Sequence, residues 1–232
     1  MVTFLTKEAA EQLVGTKIKN LDLYQKAFMH KSALKEYPQF TESFETLEFI
    51  GDSVLGFIIT KFLFDKYESR QEGFLTKART KLVRGETLAS IAKILHLEKL
   101  VIMDEKGMRN GWNTNPKILE DVFEALIGAL YMDLGLLHAK EFVLRIYNDP
   151  TFVDMNSIMI DDNFKDKLMR YCQVNSWQLP EYRVFSHHEG IFYIDIYVNN
   201  QFMCRGFAKS KKQAEQNAAR LFFEQLKSYV PH

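Results

Sequence analysis

Glu45-Thr46-Leu47-Glu48-Phe49-Ile50-Gly51-Asp52-Ser53-Val54-Leu55 is the stretch on which the reading of this 232-residue chain turns. At about 100° per residue, Glu45, Glu48 and Asp52 fall within about 60° of one another on a helical wheel, and Leu47, Ile50 and Val54 fill the opposite face. The pattern predicts a helix with a stripe of carboxylates backed by an apolar face. A second segment, Ile118 to Gly128, repeats the device. Asp121 and Glu124, spaced i,i+3, share one side, while Phe123, Leu126 and Ile127 can pack inward. The ordinary reading of a charge stripe is a solvated face, and two details oppose it. Like charges at helical neighbour spacing repel by roughly 0.2–0.5 kcal/mol per pair, and no basic residue stands between Glu45 and Glu48 or between Asp121 and Glu124. Gly51 and Gly128 each cost about 1 kcal/mol against Ala and mark close packing. Repulsion plus close packing makes sense if divalent cations neutralise the carboxylates. Hard oxygen donors without His or Cys suit Mg²⁺, with Mn²⁺ as a substitute.

Outward from this stretch, every long periodic segment up to about residue 147 reads as helix: about 6–14, 21–28, 43–66, 74–95, 117–132 and 137–147. Residues 104–117, rich in Gly and Asn, read as a loop. The grammar changes after Asn148-Asp149-Pro150. A helix at about 162–175 is followed by strands near 181–187, 191–198 and 201–206 and by a helix at about 211–227. In the middle strand Phe192, Ile194, Ile196 and Val198 share one face, with Tyr193, Asp195 and Tyr197 on the other. Asn199-Asn200 suits a tight hairpin, because Asn tolerates positive φ. The fold class is therefore a mainly α domain over 1–148, a linker over 149–161, and a small α+β domain of order α-β-β-β-α over 162–232.

The second concentration of chemistry lies in that small domain. Ser210 followed by Gln213 predicts a capping box at the start of the last helix. Lys209, Lys211 and Lys212 cluster where its free N–H groups and positive dipole end point. A lone lysine cluster is usually only solubilising. At a capped helix N-terminus it becomes a candidate phosphate site.

Composition bounds the rest. Apolar residues make up 47% of the chain, which excludes wholesale disorder. The longest apolar run, Ala125–Met132, is far short of the roughly 20 residues of a membrane span, so no membrane partner is expected. The N-terminus lacks a basic region leading into an apolar one, so no signal peptide is expected. Cys172 and Cys204 have neither metal-ligand nor redox spacing and read as buried thiols in a reducing compartment. An intracellular location follows as the expectation. The formal net charge is zero, which by itself argues against a polyanionic partner, but local placement of charge overrides the sum.

The quoted stretch closely resembles the signature helix of ribonuclease III nuclease domains. The resemblance continues through His30-Lys31-Ser32, Glu72-Gly73, Arg79, Leu82-Val83-Arg84 and Ile118 to Ala129, spanning about residues 15–147. It implies that Glu45, Asp52, Asp121 and Glu124 are the catalytic, metal-holding carboxylates, with Glu48 and Glu72 as accessory acids. It further implies a homodimer in which Phe49 is a contact aromatic, and cleavage that leaves 5′-phosphate and 3′-hydroxyl ends with short 3′ overhangs. Residues of about 160–228 resemble a double-stranded-RNA-binding domain, on the topology, Gly206, Ser210-Lys211-Lys212, Ala214-Glu215-Gln216 and Ala218-Ala219. That likeness places His188 in the loop before the second long strand as a minor-groove residue. Ala208 stands where a second Gly is usual, and Met169-Arg170 stand where Gln-Glu is usual. Lys165 and Arg170 can compensate by charge. Asn115-Pro116-Lys117 leans towards eukaryotic or large-virus relatives, so a virus-encoded protein acting in the host cell also fits.

Three function classes compete. The favoured one is a Mg²⁺-dependent endoribonuclease for double-stranded RNA. The alternative is a non-catalytic duplex-RNA binder, which has no reason to keep repelling carboxylates beside a polyanion. A metal-dependent enzyme acting on nucleotides would have no need of the appended domain.

Overall fold

The computed structural model describes residues 4–155 and 163–228, and the chain divides into two compact units, Met1–Met159 and Ile160–His232. Residues 156–161 of the expected linker lie outside the described residues. So do the first three residues of the N-terminal reading and Asp162, where the sequence places the start of a helix.

The first unit is helical: α1 (Lys7–Val14), α2 (Leu21–Lys26), α3 (Glu45–Lys66), α4 (Glu72–Leu82), α5 (Gly85–Ile94), α6 (Glu105–Arg109), α7 (Pro116–Leu134) and α8 (Leu136–Tyr147). Its organising element is α7, buried almost without break from Leu119 to Leu130. Asn115 caps α7 by accepting the Lys117 N–H, and Pro116 occupies the first turn, where no backbone donor is needed. Near its far end Asp133 accepts the N–H groups of Lys19 and Asn20 and the Tyr24 hydroxyl, which fixes the entry to α2.

α3 packs along α7 at backbone distance. A Cβ on Gly51 would stand 1.8 Å from the Glu124 carbonyl oxygen, and one on Gly128 would stand 2.1 Å from the Leu47 carbonyl oxygen. Each glycine thus removes the atom that would hold the helices apart, which is why the loss of helix propensity is accepted here.

Three boundaries differ from those read in the sequence. The span 74–95 is two helices: Arg84 takes an extended conformation between α4 and α5, and the Tyr147 hydroxyl donates to the Leu82 carbonyl at the end of α4. The span 21–28 stops at Lys26. The supposed loop 104–117 contains α6, capped by Asp104 through the Gly107 N–H, and a 3₁₀ turn over Trp112–Thr114.

The second unit is α9 (Phe164–Val174), β1 (Glu181–His188), β2 (Ile191–Val198), β3 (Gln201–Ala208) and α10 (Lys211–Ser228). The sheet is antiparallel in the order β1-β2-β3. Asn199 and Asn200 both have positive φ, as the hairpin reading requires. One face of the sheet sends Ile196, Val198 and Cys204 against Leu168, Cys172, Ala218, Ala219 and Phe222. Both thiols are buried and free. Asp195, assigned by alternation to the other face, is buried too, because Arg205 grips both of its carboxylate oxygens at 2.6 and 2.9 Å. No helix among the described residues is long and apolar enough to cross a membrane.

Candidate functional site

The α3–α7 contact creates an acidic centre. Glu48 from α3 and Asp121 and Glu124 from α7 bring carboxylate oxygens within 4.8 Å of one another. Glu48 and Glu124 border a cavity of about 500 Å³ whose lining also includes Glu45, Asp52, Lys117 and Glu120. The backbone contact at Gly51 and Gly128 brings these side chains together, since Gly51 lies between Glu48 and Asp52 and Gly128 follows Glu124 by one turn.

The electrostatics are those of acids forced together. Burial, then the charges of Asp52 and Glu120, push the Glu124 carboxyl up to about 8. Burial and neighbouring Asp121 raise Glu48 as well. Asp121 is only 8% exposed. Its Oδ1 lies 2.7 Å from the Lys117 ammonium, yet the direction of that contact leaves the oxygen without a hydrogen bond. A buried carboxylate oxygen in that condition, among all-oxygen donors, fits a hard divalent cation.

The structure thus brings together three acids expected as ligands and one expected as an accessory acid. Asp121 and Glu124 sit in the cluster, and Asp52 lines the same cavity. Glu48, expected as an accessory acid, belongs to the tight group. Glu45, expected as a ligand, lines the cavity but stands outside the tight group: Lys31 bonds its Oε1 at 2.9 Å and Ser43 bonds its Oε2 at 3.2 Å, and the Lys31 contact holds its carboxyl below the usual range. Glu72 heads α4, where it accepts the Thr76 hydroxyl, and is not among the residues lining the cavity. His30 acts as a cap, its Nδ1 accepting the Ser32 N–H.

Sequence reasoning missed two members. Lys117 pairs with both Asp121 and Glu120, at 2.7 and 3.4 Å. The signal was present, since Lys117 stands three and four residues before these acids. On the exterior of α3, Phe49 is 78% exposed, and Phe57 and Phe64 follow it as exposed aromatics at helical spacing.

In the second unit Lys209, Lys211 and Lys212 are exposed and carry no ion pair among the described residues. Ser210 Oγ accepts the Gln213 N–H at 3.3 Å. The reciprocal half of the expected capping box is missing, because the Gln213 amide bonds Asn217 instead. Lys165, expected as an RNA contact, pairs with Glu215 at 2.6 Å and lies over the Tyr182 ring. Arg170 pairs with Asp166 on its own helix. His188 is exposed, but it is the last residue of β1, paired with Ile191, rather than a loop residue.

Comparison with known proteins agrees with this division. A family described as Ribonuclease-III-like matches residues 20–150, and one described as Double-stranded RNA binding motif matches residues 164–226. A protein of Paramecium bursaria Chlorella virus 1 is 42% identical, over 93% of this chain and 78% of its own. Ribonuclease 3 of Listeria innocua is 33% identical, over 94% of this chain and 97% of its own. Among solved structures, the nuclease domain of ribonuclease III from Campylobacter jejuni, described with a flexible region involved in dimer formation, superposes with a TM-score of 0.56 at 36% identity. It covers 60% of this chain and 94% of that one.

Proposed function

Because this chain belongs to the ribonuclease III family, we propose that its ribonuclease III-type endonuclease activity cuts double-stranded RNA with the help of a divalent cation. The products are 5′-phosphate and 3′-hydroxyl ends with short 3′ overhangs. One observation carries the reading: Glu48, Asp121 and Glu124 converge within 4.8 Å, beside a cavity that Glu48, Glu124 and Asp52 line.

These four carboxylates would hold the cation, and Mg²⁺, with Mn²⁺ as a substitute, is the ion proposed. Of the set implied by resemblance, Glu45 gives way to Glu48, because Lys31 and Ser43 already engage Glu45. A bound divalent ion supplies a water of lowered pKa and stabilises charge on the phosphoryl oxygens. The chain's own residues do the remainder. The carboxylates confine positive charge to one end of the cavity, and Lys117 adds an ammonium beside them. Lys209, Lys211 and Lys212 with the α10 N-terminus grip duplex phosphates, so that A-form shape rather than base sequence is read. His188, Arg170 and Lys165 are proposed as flanking contacts, the last two only after leaving their present acidic partners.

A homodimer is the proposed assembly, with the Phe49, Phe57 and Phe64 stripe of α3 as the surface that a second copy covers. Glu72 is proposed as an acid close to the RNA path. The proposed place of action is inside a cell, whether the protein is cellular or virus-encoded.

The test is to incubate the purified chain with a long perfect RNA duplex, with Mg²⁺ or with EDTA, and map the ends. Staggered fragments bearing 5′-phosphates, formed only with Mg²⁺, are expected. An intact duplex under both conditions would refute the reading.

A further inference from the structure

Lys117 and Glu120 form a device that the carboxylate centre does not by itself require. Lys117 Nζ touches Asp121 Oδ1 at 2.7 Å and Glu120 Oε1 at 3.4 Å. It therefore has two partners one residue apart, and the nearer one is a proposed ion ligand. Glu120 is not a loose surface acid. Its side chain is about three-quarters buried, and it lies over the first residue of α5, where a Cβ on Gly85 would come within 2.3 Å of its Oε2. The glycine leaves the space in which the Glu120 carboxylate stands. Glu120 also lines the cavity with Glu48, Asp52 and Glu124.

We propose that Lys117 and the divalent cation compete for Asp121, and that Glu120 is the positioning residue that receives the Lys117 ammonium when the cation takes Asp121. The proposal rests on the metal reading given above. The chemistry is one of charge exchange. An ammonium 2.7 Å from a ligand oxygen repels an incoming dication and must give way before the ion can share that oxygen. A second carboxylate within reach lowers the cost of its departure and keeps the positive charge beside the cavity rather than releasing it to solvent. With Glu120 absent, Lys117 would have only Asp121 to hold and would resist displacement.

The measurement is Mn²⁺ binding to the full chain without RNA, by titration calorimetry and by the loss of the free-ion electron paramagnetic resonance signal. Wild type, Lys117→Met, Glu120→Gln, their combination and Asp121→Asn are compared, each checked for a wild-type circular dichroism spectrum. Lys117→Met should bind Mn²⁺ about twofold to fivefold more tightly, the scale of one partly exposed ion pair. Glu120→Gln should bind about threefold more weakly on the same scale. The decisive comparison is the double variant, in which Glu120→Gln should have no further effect, because no ammonium remains to be received. If Glu120→Gln weakens binding equally with and without Lys117, Glu120 acts only as one more negative charge and the proposal falls. If Lys117→Met leaves the affinity unchanged, there is no competition and it falls also. Asp121→Asn separates the two layers. Undiminished binding in that variant would overturn the metal reading itself, whereas loss of binding there beside unchanged Lys117 and Glu120 variants would overturn only the exchange.

Discussion

The two units hold charge in opposite ways. In the first, like charges are gathered inside a helix pair that cannot separate: Glu124 is 6% exposed and Asp121 little more, and burial raises the Glu124 carboxyl to about 8. In the second, like charges sit in water at a helix end, and nothing in the packing depends on Lys209, Lys211 or Lys212. The first arrangement strains the fold in order to bind an ion at a fixed point. The second leaves the fold indifferent, which suits a ligand recognised by spacing of phosphates.

The contrast can be broken most sharply at Glu124. Glu124→Gln should reduce cleavage by at least about 10³-fold, the scale of the several kcal/mol that metal assistance supplies, with duplex binding intact in a gel-shift assay. The same change should make the chelated protein more stable. Glu124 has an ordinary carboxyl pKa of 4.5 when exposed and about 8 when folded. Folding is therefore unpenalised below about 4.5 and loses stability as pH rises through about 8. In EDTA the melting temperature of the wild type should fall across that window, and in Glu124→Gln the fall should be smaller. A steeper fall in the variant would contradict the assignment.

Next in size is the helix contact. Gly51→Ala forces a Cβ to 1.8 Å from a backbone oxygen and should cost about 3 kcal/mol in chemical denaturation, through overpacking that backbone cannot relieve. Gly206→Ala, with a Cβ 2.2 Å from the Ala218 nitrogen, should destabilise the second unit alone and leave ion binding untouched. Coupled loss of ion binding in Gly206→Ala would mean that the units are not independent.

Smaller is the lysine pair. Replacing Lys211 and Lys212 by Ala should weaken duplex binding about tenfold whatever the base sequence, and flatten its dependence on salt. A loss limited to one sequence would argue against shape readout. The smallest effect belongs to Ser210→Ala, which removes one cap bond and should lower stability by about 0.5–1 kcal/mol with little change in affinity.

Much of this was legible along the chain because the signals are local. Helical period, the Asn199-Asn200 turn and the alternation of β2 need only neighbours in sequence. The two glycines were readable as marks of close approach, though not what they approach. What was not legible is whatever depends on a distant partner. Glu45, Glu48 and Asp52 lie so close on the wheel that only the position of α7 decides which joins the tight group, and the Lys31 partner of Glu45 is invisible to spacing. The Lys165 partner could not be read because Glu215 is 50 residues off. The division of 74–95 left no trace because Arg84 interrupts the backbone without interrupting the apolar period. Lys117 is the exception, missed although its spacing to Asp121 was plain.

The reciprocal glycine contact also dictates how the chain can change over generations. One residue inserted between Glu48 and Asp52, or between Asp121 and Gly128, would turn everything beyond it by about 100° and advance it by about 1.5 Å. Each glycine would then face the wrong backbone, and the acids would scatter around the helix. These two segments therefore cannot change in length. Any expansion of the protein must be taken up in the connections between helices.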